Sequence, residues 1–307
     1  MAISLHAFDD IAIITMLPVV VEQLNGQSLF GASFFAYLLA SLISLVWAGA
    51  HTDRYGPRTA FVSGLLVFVV GLAVGAMATA MWQFVLGRAL QGLGGGALHS
   101  VVFASINLAY DETRRKKAIA YLTTGWILPA LLAPAMAGYV TEHWDWHWVF
   151  WGMIPFALMV GVITFQRMGS LAVTGADVRL RATNYEVVWR AFRIAAGIGA
   201  LLASISLLQA GWMLVVAVVG ISVFWRPLNF VFPEGIWIAR AGLSAALALK
   251  FLIVFGFFGT EAFIPTWLKH EYGFTPFQAG AILTGAALSW TAATWIYELN
   301  AERISTR

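Results

Sequence analysis

Apolar residues run along this chain in long blocks, and short clusters of Arg, Gly, Pro, Asp and aromatic residues separate them. Ten blocks predict ten apolar helices, near 1–21, 30–50, 59–79, 82–106, 117–140, 148–166, 192–208, 210–225, 240–267 and 276–297. Several reach about 18 residues or more, the signature of a membrane span. The shortest, 210–225, is marginal for a hydrocarbon core of ~30 Å. The pattern predicts an all-α, polytopic membrane helical bundle. Trp82, Trp144, Trp146, Trp148 and Trp267 fall at block ends, as an aromatic belt at one membrane face would. The first block has no basic region before it and no small-residue cleavage site, so it reads as a span rather than a cleaved leader.

Composition sharpens this picture. Hydrophobic residues make up 60% of the 307 positions and charged residues 11%, against roughly 25% charged in an average soluble domain. Mean hydropathy is +0.80. These values exclude a disordered chain and argue against a soluble enzyme. There is no cysteine, hence no disulfide frame, thiolate metal site or cysteine nucleophile. The net charge of +3 reports basic loops rather than a nucleic-acid partner. With the N-terminus inside, 15 of the 18 Lys and Arg residues fall in inner segments; Lys269 lies outside, and Arg88 and Lys250 lie within spans. The positive-inside rule therefore places both termini in the cytoplasm, in a plasma (inner) membrane.

The longest polar stretch divides the chain. Residues 1–166 read as an N-terminal six-helix bundle, 167–191 as a cytoplasmic linker, 192–225 as two inserted spans, and 226–307 as the start of a C-terminal bundle. An internal repeat supports this division. Pro18 precedes Gly26 by 8 residues and Asp53 by 35; Pro265 precedes Gly273 by 8 and Glu302 by 37. Asp53-Arg54 and Glu302-Arg303 then follow a span in each copy. Two pseudo-symmetric halves around a midplane site are a transporter architecture. The second copy holds two of six spans, so the chain reads as truncated after about ten spans, with an incomplete C-terminal half.

A few polar residues interrupt the apolar blocks. Asp9 lies about 12 Å along the first helix and Arg88 about 9 Å along the fourth, at 1.5 Å per residue. A charge at such depth costs about 2.5–3.5 kcal/mol on insertion scales, so it faces a polar cavity or a partner. Two readings of Asp9 stand: a structural pair with Arg88, or a carboxyl that loads and releases a proton. Asp10 points about 100° away from Asp9. Lys250 and Glu261, eleven residues apart, share a helix face and read either as cavity-lining or as interfacial. The loop Asp53-Arg54-Tyr55-Gly56-Pro57-Arg58 contains a plausible tight turn. Pro129, Pro134 and Gly138 read as a helix-bending motif in span five. His143, Asp145 and His147 could hold zinc, but the tryptophans between them favour interfacial anchoring. No nucleophile–base set is visible, so no enzyme activity, cofactor or metal is expected.

The run from Asp53 to Arg58 resembles the inner-loop signature of the major facilitator superfamily. Arg88-Ala89-Leu90-Gln91-Gly92-Leu93-Gly94-Gly95 is similar to that superfamily's fourth-span motif. Asp9, eight residues before Leu17-Pro18, resembles the first-span aspartate of the fourteen-span drug/proton antiporter branch. Trp146-His147-Trp148-Val149-Phe150 with Pro155 is similar to the start of that branch's sixth span, and spans seven and eight suit fourteen spans. Two stretches depart from the pattern: Ala133 to Gly138 has fewer glycines, and His147 stands where arginine is common. The resemblance implies proton-coupled efflux of a small organic, drug-like compound by alternating access, with protons and the lipid bilayer as the other partners. It assigns proton coupling to Arg88; with that, the polar residues inside the spans read as a proton-sensitive pair, Asp9 and Arg88, with Asp10, Gln91, Lys250 and Glu261 along the path. It also assigns gating to Asp53, Arg54, Gly56 and Arg58, and antiport direction to the Pro134–Gly138 region. Solute uptake by the same fold, or a non-transporting truncated membrane protein, are the alternatives.

Overall fold

The computed structural model describes residues 2–168, 185–207 and 210–305. Among these residues, twelve α-helices follow one another: α1 (Ala2–Gln23), α2 (Phe30–Tyr55), α3 (Pro57–Ala76), α4 (Met81–Ala109), α5 (Glu112–Thr124), α6 (Ile127–His143), α7 (His147–Met168), α8 (Tyr185–Leu207), α9 (Ala210–Val231), α10 (Leu243–Glu261), α11 (Ile264–Tyr272) and α12 (Pro276–Ser305). Among the described residues there is no strand, and eight helical segments are long and apolar enough to cross a membrane. The expected all-α membrane bundle is the observed fold.

Two expected spans are broken. Span five is two helices, because α5 is too polar to cross and the chain turns at Gly125, whose N–H donates to the Leu122 carbonyl. Pro129 therefore sits in the first turn of α6, where its missing N–H costs nothing. It starts a helix rather than bending one; only Pro134 is internal to α6. Span nine breaks before Pro265, which again takes the first turn of a helix, α11. The marginal span 210–225 continues to Val231 as a 22-residue helix. Of the expected linker 167–191, residues 169–184 lie outside the described residues and 185–191 already belong to α8.

The core lies among α1, α3, α4 and α7. Leu5, Ile13, Met16 and Leu17 of α1 meet Phe61, Phe68 and Leu72 of α3, Phe84 of α4 and Phe150 of α7. Trp146 is fully buried in this core. It packs edge-on against Phe84 and Phe150, and its indole N–H donates to Gln23 Oε1 at 2.6 Å. Its expected place in an aromatic belt is thus corrected: burying the largest apolar side chain while satisfying its one donor outweighs an interfacial seat. Trp82, Trp144, Trp148 and Trp267 are exposed.

Small residues let the helices approach at backbone distance. A Cβ on Gly92 of α4 would stand 2.2 Å from the Tyr37 carbonyl of α2. Helices α8 and α9 pack on each other at Gly197 and Gly220, and α8 lies against α2. Helix α12 packs along α6. Helix α10 is exposed along nearly its whole length.

Candidate functional site

Arg88 is held two turns into α4, and packing of α4 on α1 and α2 dictates what it meets. Its Nη1 donates to Asp9 Oδ2 at 2.8 Å and to Gln91 Oε1 at 2.6 Å. Both members of the ion pair are 2% exposed. Gln91 in turn donates to the Gly71 carbonyl of α3 at 3.3 Å. The guanidinium lies 4.2 Å from the centroid of the Tyr37 ring, a cation–π contact supplied by α2. The close approach at Gly92 is what brings that ring within reach. Four helices thus fix one cation. Arg88 Nε is buried and has no acceptor among the described residues.

A second polar group adjoins the first. His6 lies one turn before Asp10 on α1, with Nε2 3.6 Å from Asp10 Oδ2. Its Nδ1 is hydrogen-bonded to the Tyr37 hydroxyl at 2.5 Å. His99 of α4 and Trp126, just before α6, pack against the imidazole with centroids 5.6 and 5.9 Å away. Sequence reasoning missed His6, Tyr37 and His99. The first carried a signal, since His6 and Asp10 are four apart and share a helix face. His99 lies three turns from Arg88 on the same face, but Tyr37 carried none.

The other expected residues lie elsewhere. Gly56 takes φ +83° between α2 and α3, a conformation glycine adopts without cost, and Pro57 opens α3. Asp53, Arg54 and Arg58 are exposed there; Arg54 stacks over Tyr55, and Arg58 lies 4.0 Å from the Phe165 ring of α7. Pro134 and Gly138 face α12: a Cβ on Gly138 would meet the Pro276 carbonyl at 2.5 Å, and one on Gly280 the Pro134 carbonyl at 2.2 Å. Pro134 and Gly138 thus line a seam where α6 and α12 cross. Thr284 of α12 donates to the Leu131 carbonyl across it at 3.1 Å. Lys250 and Glu261 sit on α10, Lys250 exposed and Glu261 partly buried. The structure does not bring them to the Asp9–Arg88 pair, because α10 does not pack on α1 or α4.

At the end opposite the basic loop, Lys269 of α11 pairs with Glu22 of α1. There too, Asp145 accepts from the His147 backbone and faces its Nδ1, while His147 Nε2 lies 3.2 Å from the Ala78 carbonyl. His143 instead stacks on Tyr139. Asp145 and His147 thus contact each other, while His143 stacks elsewhere.

A multi-span helical bundle with a buried acid–arginine pair defines a polytopic membrane protein with a charged interior. The chain belongs to the Major Facilitator Superfamily, whose family model matches residues 1–304. It is 24% identical over 299 residues to a probable multidrug-efflux transporter of Mycobacterium tuberculosis, covering 94% of this chain and 63% of that protein. It is 24% identical to the multidrug transporter protein MdtP of Bacillus subtilis, covering 94% and 54%, and 22% identical to the multidrug efflux pump SdrM of Staphylococcus aureus, covering 93% and 64%. The chain therefore spans less than two thirds of the length of each of these relatives. A crystal structure of the peptide transporter POT shares the fold at TM-score 0.63 and 18% identity, covering 98% of this chain and 68% of that one.

Proposed function

We propose that the chain works as a secondary active transporter that exports a small organic compound in exchange for protons, by alternating access. The Asp9–Arg88 pair carries this reading. A carboxylate and a guanidinium enclosed at 2% exposure have lost their hydration, and only their mutual attraction and hydrogen bonds offset that cost. Protonating Asp9 removes the attraction, while Gln91 and the Tyr37 ring continue to hold Arg88. A proton therefore changes the site's charge without leaving a wholly unpartnered cation. Asp10 adds a second acid at the rim. The three relatives named for multidrug transport or efflux support the direction and the class of cargo. The basic loops support an inner-membrane orientation with both termini in the cytoplasm. The Asp53–Arg58 turn acts as the inner gate, and the α6–α12 seam is where the halves move. Residues 1–166 form one bundle, α8 and α9 an insert, and the remainder the start of the second bundle.

The test is flux in inside-out vesicles that carry the full chain and are acidified within. The fluorescent cation ethidium accumulates in them, and Asp9→Asn or Arg88→Ala abolishes accumulation while membrane insertion is unchanged. Proton-driven accumulation that survives Asp9→Asn overturns the coupling assignment. Movement only in the opposite direction identifies uptake instead.

A further inference from the structure

We propose that His6 is a proton-binding group of the transport site, and that its charge sets the site's affinity for a cationic guest. The inference rests on the transporter reading and adds a residue to it. Three observations carry it. His6 bridges the two polar groups of the site, with one ring nitrogen toward Asp10 and the other on the Tyr37 hydroxyl. That hydroxyl belongs to the same ring that covers Arg88. The seat is shaped for it: a Cβ on Gly95 would stand 2.9 Å from His6 Nδ1 and 3.1 Å from the Tyr37 hydroxyl. Glycine at that point of α4 leaves room for the hydrogen-bonded pair, which a side chain there would crowd.

The charge balance gives the pair its consequence. Among the described residues, the groups that face His6 are Asp9 and Asp10 on α1, Tyr37 on α2, and Arg88 and His99 on α4; Trp126 beside them is uncharged. Two carboxylates against one guanidinium leave one negative charge while both imidazoles are neutral. One added proton on His6 cancels it. Asp10, with 28% of its side chain exposed against 12% for His6, is the more open of the two. No bond is made or broken beyond N–H: the proton arrives from water, resides on His6 and returns to water when a cation replaces it. An imidazole changes charge within the physiological pH range, which a lone carboxylate in water does not.

The experiment measures binding of tetraphenylphosphonium to the purified full chain as a function of pH. For wild type, affinity falls by at least about 30-fold from about pH 8 to about pH 5, and its acid limb approaches about tenfold per pH unit, as competition with one proton requires. His6→Gln, neutral at every pH, still binds and shows a change under about threefold over that range. Should His6→Gln not fold, Tyr37→Phe removes only the hydroxyl on Nδ1 and moves the midpoint by several tenths of a pH unit. A His6→Gln protein with the wild-type pH profile overturns the proposal. So does an unmoved midpoint in Tyr37→Phe, or a wild-type chain that does not bind this cation. Proton-driven ethidium flux that persists in wild type alongside any of these results leaves the transporter reading standing without His6. Absent flux with the expected binding profile does the reverse.

Discussion

Gly280 of α12 rests against the Pro134 carbonyl of α6 so closely that a Cβ would come within 2.2 Å of the oxygen. Gly138, one turn further along α6, makes the same kind of contact with Pro276 and Phe277. A side chain at Gly280 can be admitted only by moving one helix off the other, since backbone atoms block it. Overpacking of this kind costs about 1–3 kcal/mol. Gly280→Val is expected to lower thermal stability and abolish transport. Gly285→Ala on the same helix, with nothing within 4 Å of its Cβ, leaves both unchanged. Equal effects of the two substitutions in a thermal-shift assay would show that the seam is not where α12 is held.

The buried ion pair makes an asymmetric claim. Removing Asp9 leaves Arg88 held by Gln91 and the Tyr37 ring but without a counter-charge, at a cost of up to about 3–5 kcal/mol, whereas removing both charges costs much less. Asp9→Asn is therefore expected to destabilise the bundle more than the double substitution Asp9→Asn with Arg88→Gln. Arg88→Lys keeps the charge but loses the planar donor set, so the contacts to Asp9 and Gln91 cannot both be kept. That variant folds and transports poorly. Unfolding followed by tryptophan emission orders the variants, and a double mutant less stable than Asp9→Asn refutes the pairing.

Much of this site was legible because membrane burial leaves so few polar residues to consider. Asp9 and Arg88 stood out by depth alone, and the structure joins them at 2.8 Å. The broken spans were not legible. Hydropathy integrates over a window and passes across Gly125 or Phe263, while proline at a helix start resembles proline at a kink. Trp146 was misplaced for a related reason. Tryptophans at a span end look alike in sequence, and only the positions of Gln23, Phe84 and Phe150 decide which one is buried. Lys250 and Glu261 share a face of α10, but a shared face does not say which neighbour it meets.

Glu22 and Lys269 join α1 to α11 at the end opposite the basic loop. The pair is partly exposed, so it adds at most about 1 kcal/mol, too little to matter for folding. The same amount changes the ratio of two conformations about fivefold. Lys269→Glu is expected to open this end, and the reciprocal exchange of both charges to close it again. The chain has no native cysteine, so Ala279→Cys, in the tight seam beside Pro18 and Pro276, reports opening through its rate of maleimide labelling. Labelling should accelerate about fivefold in Lys269→Glu and return to the starting rate in the charge-exchanged protein. No change in rate would mean the pair is decoration at the rim.

Trp146 and Trp148 are two residues apart at the start of α7, and they are expected to respond differently to truncation. Trp146 is fully buried, with its indole N–H on Gln23 and its ring against Phe84 and Phe150. Trp148 is 57% exposed. Trp146→Ala leaves a cavity in a core that cannot collapse to fill it, and costs about 3–5 kcal/mol. It also removes the hydrogen bond to Gln23. Trp146→Phe keeps most of the apolar contact but loses the hydrogen bond, so it falls between wild type and Trp146→Ala. Trp148→Ala loses only a partly exposed ring and stays within about 1 kcal/mol of wild type. Thermal unfolding of the four proteins in one detergent gives the order directly. If Trp148→Ala proves the more damaging substitution, the interface and not the core secures this end of the bundle.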